Sequence, residues 1–357
     1  MTTIPCAIDD RARPKVMVMR FGEVETALEQ ARFDSAADTA HCSDGTVIKN
    51  YYKDHLGVRY FSPMDKSGIK KIPYGWCSWY YYGRDIVPEE VLVNARWFAE
   101  NMKEYGADLI LLDDGWQDNG RDWDGLRESF PQGMKWLADQ IKALGLIPGI
   151  WLCPQGQDNM ELIDREKCFM RHEDGASVCA TFCGPYTVDP TKPEMSGYLQ
   201  RLTERIVDTW GYEYLKLDGQ PSLVKAYEKY HQFLQDPSIA PTDAYRMTLE
   251  AIRKGAGKET FISGCAGMPV ETIGFFDAQR TGADCDAEWE NGFLNTVTAT
   301  MNGHFLHNVA WFSDPDCCML RPPLSLDMAR AWVTLMGITG QMLLFSDRMP
   351  DLGSERV

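Results

Sequence analysis

A short apolar run, then turn residues, then an amphipathic helical stretch recurs along most of this chain. Eight of these runs are candidate β-strands, at residues 74–79, 109–114, 148–153, 213–218, 260–264, 277–281, 308–312 and 341–345. The segments between them keep a helical spacing of apolar residues, as at Met134, Leu137, Ile141 and Leu144. Eight strands alternating with helices over about 275 residues predict a (β/α)8 TIM barrel. The rival is a doubly wound open sheet, but no G-x-G-x-x-G turn follows any of the candidate strands.

The two ends of the chain depart from this pattern. Residues 1–70 predict a β-rich N-terminal segment, or the remnant of an N-terminal β-domain, with strands near 15–20 and 58–61. Residues 71–357 are assigned to the barrel. Because only about a dozen residues follow the eighth strand, we expect a truncated eighth helix and no C-terminal β-domain in this chain.

Composition narrows the class of partner. The chain has 36 Lys and Arg against 52 Asp and Glu, a formal net charge of −16, which argues against nucleic acid or an anionic membrane as partner. It holds no apolar stretch of about 20 residues and no signal-peptide pattern at its N-terminus, so we expect no membrane span and a cytoplasmic location. The 11 cysteines and 6 histidines form no C-x-x-C and histidine arrangement typical of zinc, which predicts free thiols, no metal and no cofactor.

Polar or aromatic residues stand at the carboxyl end of nearly every candidate strand, where TIM barrels carry their sites. In the fourth strand alternate residues share a face, so Lys216 and Asp218 are expected to point together into the barrel. The other strand-end residues are Trp76, Trp79, Asp113, Asp114, Trp151, Cys153, Cys265, Arg280, Asp284, Trp311, Asp314 and Asp316. Aromatic faces flanked by carboxylates suit a sugar, because its C–H faces stack on rings and its hydroxyls donate to carboxylates.

Two carboxylates from different strands are the minimal machinery for hydrolysing a glycosidic bond, and Asp218 and Asp284 form the natural pair. Lys216 is expected to hold Asp218 ionised as the nucleophile. Asp284 must instead hold a proton at working pH, which requires an apolar wall or the nearby charge of Asp218.

Each residue also has a purely structural interpretation. Asp113 and Asp114 could form a turn or a helix cap, and the tryptophans could fill the barrel. Arg280 and Asp284 could be a local ion pair, and Cys265 a small buried hydrophobe. For Asp314 and Asp316 we favour a structural turn.

Seven short motifs occur in order: GWCSW at 75–79, LDDGWQ at 112–117, GIW at 149–151, LKLDG at 215–219, SGCAG at 263–267, RTGAD at 280–284 and SDPD at 313–316. In these motifs the sequence resembles the catalytic barrel of the α-galactosidase clan, glycoside hydrolase families 27 and 36, including the raffinose-synthase and seed-imbibition-like branch. Family 36 often has Asn soon after the nucleophile and Ser where Gly282 stands. This chain departs from both features, which concerns the aglycone side of the site.

The resemblance implies a retaining glycosidase acting on terminal α-galactosides, with Asp218 as nucleophile and Asp284 as acid/base. It implies that Asp113 and Asp114 bind the 4- and 6-hydroxyls of galactose. It also implies further substrate contacts from Trp79, Trp151, Lys216, Cys265 and Arg280.

Four alternatives remain open at this stage. Galactosyl transfer to another sugar would use the same two aspartates. A non-catalytic sugar-binding barrel would keep the site without the chemistry. A Schiff-base aldolase would use Lys216, and a Mg²⁺ enzyme would use Asp113, Asp114 and Asp218 as oxygen ligands.

Overall fold

The computed structural model describes residues 6–10, 15–21, 26–42, 45–68, 71–118 and 121–356. Its N-terminal strands form one antiparallel sheet in chain order, β1 (Cys6–Asp10), β2 (Lys15–Phe21), β3 (Thr26–Asp34), β4 (Thr39–Cys42) and β5 (Val47–Lys49). The strand predicted at 15–20 is confirmed as β2. The strand predicted at 58–61 is wrong, because Val58 and Phe61 lie in a turn and pack with Tyr51 and Tyr52 in a small apolar cluster.

The remaining strands are β6 (Tyr74–Cys77), β7 (Leu109–Leu112), β8 (Ile147–Leu152), β9 (Gly156–Gln157), β10 (Tyr186–Thr187), β11 (Tyr214–Leu217), β12 (Phe261–Gly264), β13 (Ala278–Arg280), β14 (Phe312–Asp314), β15 (Cys317–Cys318) and β16 (Leu343–Phe345). The short strands β9 and β10 pair with each other in the loop after β8. The others form one parallel sheet in the order β14-β13-β12-β11-β8-β7-β6-β16-β15. The Met342 N–H, directly before β16, donates to the Ser313 carbonyl of β14 at 3.1 Å, which closes the sheet into a ring. The predicted (β/α)8 barrel is confirmed.

Nine α-helices stand in the described residues: α1 (Trp79–Tyr82), α2 (Pro88–Asn101), α3 (Gly133–Ala143), α4 (Met160–Glu166), α5 (Pro193–Glu204), α6 (Gln220–Tyr230), α7 (Pro241–Ala256), α8 (Asn295–Gly303) and α9 (Leu326–Thr339). Proline occupies the first position of α2, α5 and α7, where its fixed φ suits a helix and its missing N–H costs nothing. Of the predicted stripe, Met134, Leu137 and Ile141 are buried along α3, and Leu144, directly after the helix, is half-buried. All four residues of β7 are buried, as expected of a parallel strand covered on both faces.

Shorter helical segments complete the connections. The π-helical segments are Tyr51–His55, Arg205–Thr209 and Trp289–Leu294. The 3₁₀ segments are Gly83–Asp85, Lys103–Tyr105, His231–Phe233, Val270–Thr272, Met349–Asp351 and Ser354–Arg356. The last two are the helical structure after β16. Among the described residues, no helix combines the length and apolar character needed to cross a bilayer.

The seventh barrel strand lies later in the chain than predicted. Its predicted range was 308–312, but β14 begins at Phe312 and β15 continues the strand after Pro315. The side chains of Val309, Ala310 and Trp311 pack instead in the small apolar cluster beside the N-terminal sheet. The prediction placed the strand too early because the apolar residues before Phe312 pack in this second cluster rather than in the barrel.

Candidate functional site

Asp218 stands at the carboxyl end of β11, at the mouth of the barrel. Its N–H donates to the Leu152 carbonyl at 2.9 Å, so the ladder to β8 extends to this residue. The chain then turns away at Gly219, whose φ of +74° is a conformation that favours glycine. A Cβ on Gly219 would lie 2.8 Å from Cys183 Sγ, so the close approach of that loop also requires glycine. This turn leaves the Asp218 side chain half-buried.

Two neutral N–H groups hold the Asp218 carboxylate. The Trp151 indole Nε1 donates to Oδ2 at 3.0 Å, and the Gly219 N–H donates to Oδ1 at 2.6 Å. The Trp151 ring is buried, and the Arg121 guanidinium lies 5.1 Å from its centroid and 4.9 Å from that of Phe182. Each carboxylate oxygen of Asp218 therefore has a fixed N–H donor.

Lys216 does not pair with Asp218 as the sequence suggested. Its Nζ forms a buried ion pair with Asp113 Oδ2 at 2.8 Å. The Cys77 thiol also donates to this oxygen at 3.3 Å, and the Asp114 N–H donates to Oδ1 at 2.9 Å. Burial lowers the pKa of Lys216, but the Asp113 carboxylate together with the nearby Cys265 and Cys77 outweighs it and raises that pKa well above its ordinary value. The correction has a geometric reason, since Lys216 reaches past β8 to the end of β7.

Asp114, the next residue of the LDDGWQ motif, is also buried and has its own set of donors. Gln117 Nε2 donates to its Oδ1 at 2.6 Å, and Arg121 Nη1 donates to its Oδ2 at 3.4 Å. Arg84 Nε lies 3.4 Å from Oδ1. The neighbouring carboxylates therefore have different cationic partners, a lysine for Asp113 and two guanidinium groups for Asp114.

Arg280 organises the opposite wall of the site. Its buried Nη2 lies 3.0 Å from Asp284 Oδ1 and 2.9 Å from Asp316 Oδ2, so one nitrogen serves two carboxylates. Its Nη1 donates to Cys265 Sγ at 3.3 Å. Burial raises the pKa of the Cys265 thiol well above its ordinary value. The local ion pair between Arg280 and Asp284 is present.

The surroundings of Asp284 differ from those expected of a carboxyl group that holds a proton. Its side chain is 68% exposed, and its bond is to a guanidinium rather than to an apolar wall. The apolar wall that the sequence called for as one way to keep a proton on Asp284 is therefore not what this side chain meets, which is the Arg280 guanidinium. The position itself, on the loop that leaves β13, agrees with the expected strand end.

Sequence reasoning missed two residues on this wall, Asp316 as a buried partner and Tyr80. Asp316 is buried, and the Tyr80 hydroxyl donates to its Oδ2. The turn interpretation holds too, since the Asp316 N–H donates to Asp314 Oδ1 at 2.9 Å. The D-P-D pattern indicated only that turn, because a turn has a local signal and a partner on a distant loop has none.

The first barrel strand contributes tryptophans of different character. Trp76 is fully buried, and its indole donates to the Asp347 carbonyl at 2.7 Å, as the barrel-filling interpretation expects. Trp79 begins α1 directly after β6 and packs half-buried against the main core.

The described part of the chain contains no grouping of three or more His, Cys, Asp or Glu suited to a metal ion. Of the three carboxylates proposed as Mg²⁺ ligands, Asp113 pairs with a lysine and Asp114 with guanidinium groups. The third, Asp218, accepts from the Trp151 indole and the Gly219 N–H. Their surroundings do not fit a divalent cation, which would need these oxygens as ligands.

Residues 81–255 match the family model described as Melibiase. A "Probable alpha-galactosidase A" from Aspergillus oryzae is 24% identical over 305 residues, 79% of this chain and 50% of the relative. A "Probable alpha-galactosidase B" from Neosartorya fischeri is 30% identical over 185 residues, 49% of this chain and 34% of the relative. This chain therefore spans half or less of the length of these curated relatives.

Solved structures share the fold. An α-galactosidase from Thermus thermophilus, in complex with p-nitrophenyl α-D-galactopyranoside, superposes with a TM-score of 0.68 at 21% identity, covering 98% of this chain and 73% of that one. A family 27 β-L-arabinopyranosidase from Geobacillus stearothermophilus gives a TM-score of 0.65 at 21% identity, covering 81% of this chain and 74% of that one.

Fold and site together define a (β/α)8-barrel protein with a carboxylate-rich site at the carboxyl ends of its strands. Within that class, residues 81–255 are similar to the melibiase family, and the chain is similar in sequence to α-galactosidase relatives.

Proposed function

We propose that this protein is a glycosidase that removes terminal α-galactose from small or oligomeric sugars by a retaining double displacement. Asp218 would be the nucleophile and Asp284 the acid/base. The observation that carries the proposal is the half-buried Asp218 carboxylate, with Trp151 Nε1 on one oxygen and the Gly219 N–H on the other. The melibiase match and the α-galactosidase relatives support the sugar class.

The proposed reaction has two steps. In the first, an Asp218 oxygen attacks the anomeric carbon while Asp284 gives its proton to the leaving oxygen, which breaks the glycosidic bond and forms a glycosyl ester. In the second, Asp284 takes a proton from water, and the oxygen of that water attacks the anomeric carbon from the face that the leaving group vacated, which breaks the ester bond and releases the Asp218 carboxylate. Two inversions give net retention.

The remaining side chains would bind the sugar. Asp113 and Asp114 are proposed to accept from hydroxyls of galactose while their cationic partners keep both carboxylates in place. Arg280 and Cys265 are proposed to contact the sugar from the opposite wall, and Lys216, Trp79 and Trp151 to complete the pocket. Aromatic and carboxylate groups in this combination suit a monosaccharide ring.

The nucleophile assignment is tested by Asp218→Asn assayed on p-nitrophenyl α-galactoside. We expect a loss of at least about 10³-fold in kcat, since the amide cannot form the ester. Asp208→Asn, an exposed aspartate on the π-helical segment after α5, is the matched control and should keep wild-type activity. Unimpaired hydrolysis by Asp218→Asn would exclude this residue as the nucleophile.

Stereochemistry and substrate range are tested on the wild type. NMR of the first-formed product should show the α-anomer; β-product would contradict a double displacement. The structural relatives include a β-L-arabinopyranosidase, so β-L-arabinopyranoside and α-N-acetylgalactosaminide complete the panel. Adding sucrose or myo-inositol as acceptor distinguishes transfer from hydrolysis. Binding of galactose without turnover of any member would favour a sugar-binding barrel.

A further inference from the structure

The Tyr80 hydroxyl bridges two groups on the wall that carries Asp284. Tyr80 lies in α1, directly after β6, whereas Asp284 lies on the loop after β13. The Tyr80 Oη donates to Asp316 Oδ2 and accepts from the Cys285 N–H at 3.1 Å. Tyr80 therefore links the first strand of the barrel to the backbone immediately after Asp284.

Both groups that Tyr80 contacts act on Asp284. The Cys285 N–H also lies 3.0 Å from Asp316 Oδ2, so hydroxyl and carboxylate share one backbone donor. Asp316 shares Arg280 Nη2 with Asp284, at 2.9 and 3.0 Å. The contacts to the Cys285 N–H fix the main chain next to Asp284, and the contacts through Arg280 Nη2 fix its side chain. Asp316, to which the Tyr80 hydroxyl donates, takes part in both.

Tyr80 is itself held in place. Its N–H donates to Ser346 Oγ at 2.9 Å, and its carbonyl accepts from Arg321 Nη2 at 2.7 Å. Burial, reinforced by the charge of Asp316, raises the pKa of the Tyr80 hydroxyl, so the group stays a neutral donor. A half-buried hydroxyl with a fixed main chain on one side and a buried carboxylate on the other has little freedom to turn away.

We propose that Tyr80 is a positioning residue for Asp284, and that its hydroxyl keeps the exposed Asp284 carboxyl in place to protonate the leaving group. This role rests on the proposed function, because it requires Asp284 to be the acid. Without the hydroxyl, Asp316 loses a donor and draws more strongly on Arg280, and Cys285 loses one of its acceptors. Asp284 is then held less well at the distance needed for proton transfer, which is sensitive to geometry.

The test is Tyr80→Phe, which removes one oxygen and keeps the ring. Activity is compared on p-nitrophenyl α-galactoside, whose leaving group departs readily without a proton, and on methyl α-galactoside, whose leaving group needs one. We expect kcat/KM to fall about tenfold on the methyl glycoside, the low end for losing a hydrogen bond to a charged group, and much less on the aryl one. The control is Tyr81→Phe, since Tyr81 is exposed and its hydroxyl contacts Asp351 at 3.3 Å.

Each outcome decides the role. A larger loss on the methyl glycoside than on the aryl one, with an unchanged thermal midpoint, supports positioning of the acid. Equal losses, loss in step with a lowered midpoint, or no loss would each overturn it, because a structural tyrosine affects both substrates alike. A wild type inactive on both substrates overturns the proposed function and this role with it. An active wild type with unchanged selectivity in Tyr80→Phe overturns this role alone.

Discussion

The buried pair of Lys216 and Asp113 can be broken from either side, and the two halves should respond to pH in opposite ways. Their side chains are only 7% and 4% exposed and 2.8 Å apart. At an effective dielectric constant of about 20, that separation corresponds to about 6 kcal/mol of attraction, most of which offsets the cost of burying the two charges. Removing one partner leaves that cost uncompensated.

Lys216→Met leaves the buried Asp113 carboxylate without its cationic partner, and Asp113 can then become neutral by taking a proton. Burial already raises the pKa of Asp113 against the opposing charge of Lys216, and removing Lys216 raises it further. Protonation at pH 7 of a group whose ordinary pKa is about 3.9 costs about 4 kcal/mol, which sets the maximum loss of folding free energy. Since the folded-state pKa lies above the unfolded one, the deficit grows with rising pH and should shrink to about 1.5 kcal/mol near pH 5.

Asp113→Asn leaves the buried Lys216 ammonium without its carboxylate partner, and Lys216 then becomes neutral by losing a proton. From an ordinary pKa of about 10.4, this costs about 4.6 kcal/mol at pH 7. Here the folded-state pKa falls below the unfolded one, so the deficit shrinks as the pH rises. The double variant places two neutral groups together and should recover most of either loss at every pH.

Urea unfolding followed by tryptophan fluorescence, at several pH values, measures all four proteins of the cycle. The matched control is the pair of Lys135 and Asp139, also 2.8 Å apart but with side chains 63% and 53% exposed. Its coupling should stay below about 0.5 kcal/mol. Additive losses in the buried cycle, or single-variant deficits that do not change with pH, would refute the reasoning.

Two further predictions concern the backbone at Asp218 and the buried thiols. Gly219→Ala places a Cβ 2.8 Å from Cys183 Sγ at a φ of +74°, so we expect about 1–3 kcal/mol less stability in urea; an unchanged midpoint would contradict the close approach. Burial raises the pKa of Cys168 and of Cys285 to about 12. The unfolded chain therefore loses these protons first, and stability should fall above about pH 9 by about 1.4 kcal/mol per pH unit for each thiol. Cys168→Ala should flatten that slope by one thiol's share, and an equally steep slope would count against this cause.

The sequence predicted the direction in which side chains point better than it predicted the residues that they contact. Alternation along β11 predicted that Lys216 and Asp218 point the same way, and Lys216 does reach into the barrel to meet Asp113. Alternation does not say which strand lies opposite. In the register Lys216 stands beside Trp151 of β8, and β7 is one strand further. Proximity in sequence favoured Asp218 as the partner of Lys216, whereas the curvature of the barrel brings Asp113 within reach.

Residues on connecting loops were harder to foresee. Tyr80 and Arg121 follow the ends of β6 and β7, and nothing in their local sequence marks them as site residues. Arg121 contacts Asp114 at 3.4 Å and lies over the Trp151 ring. Such contacts depend on how loops from different strands converge, which periodicity does not report. The start of β14 was predicted too early for a related reason, since Trp311 packs in the second apolar cluster and not in the barrel.

The two candidate catalytic carboxylates differ in a way that constrains how the proposed acid works. Asp218 is half-buried with neutral donors on both oxygens, an arrangement complete before substrate arrives. Asp284 is exposed and shares one Arg280 nitrogen with Asp316. A bound sugar would take water from Asp284, and its hydroxyls would compete for Arg280. If Asp284 is the acid, substrate binding therefore changes its surroundings, whereas both donors to Asp218 are already in place. Removing the Arg280 contact with a substrate hydroxyl, by assaying a deoxygalactoside, should then weaken catalysis with poor leaving groups more than with aryl ones.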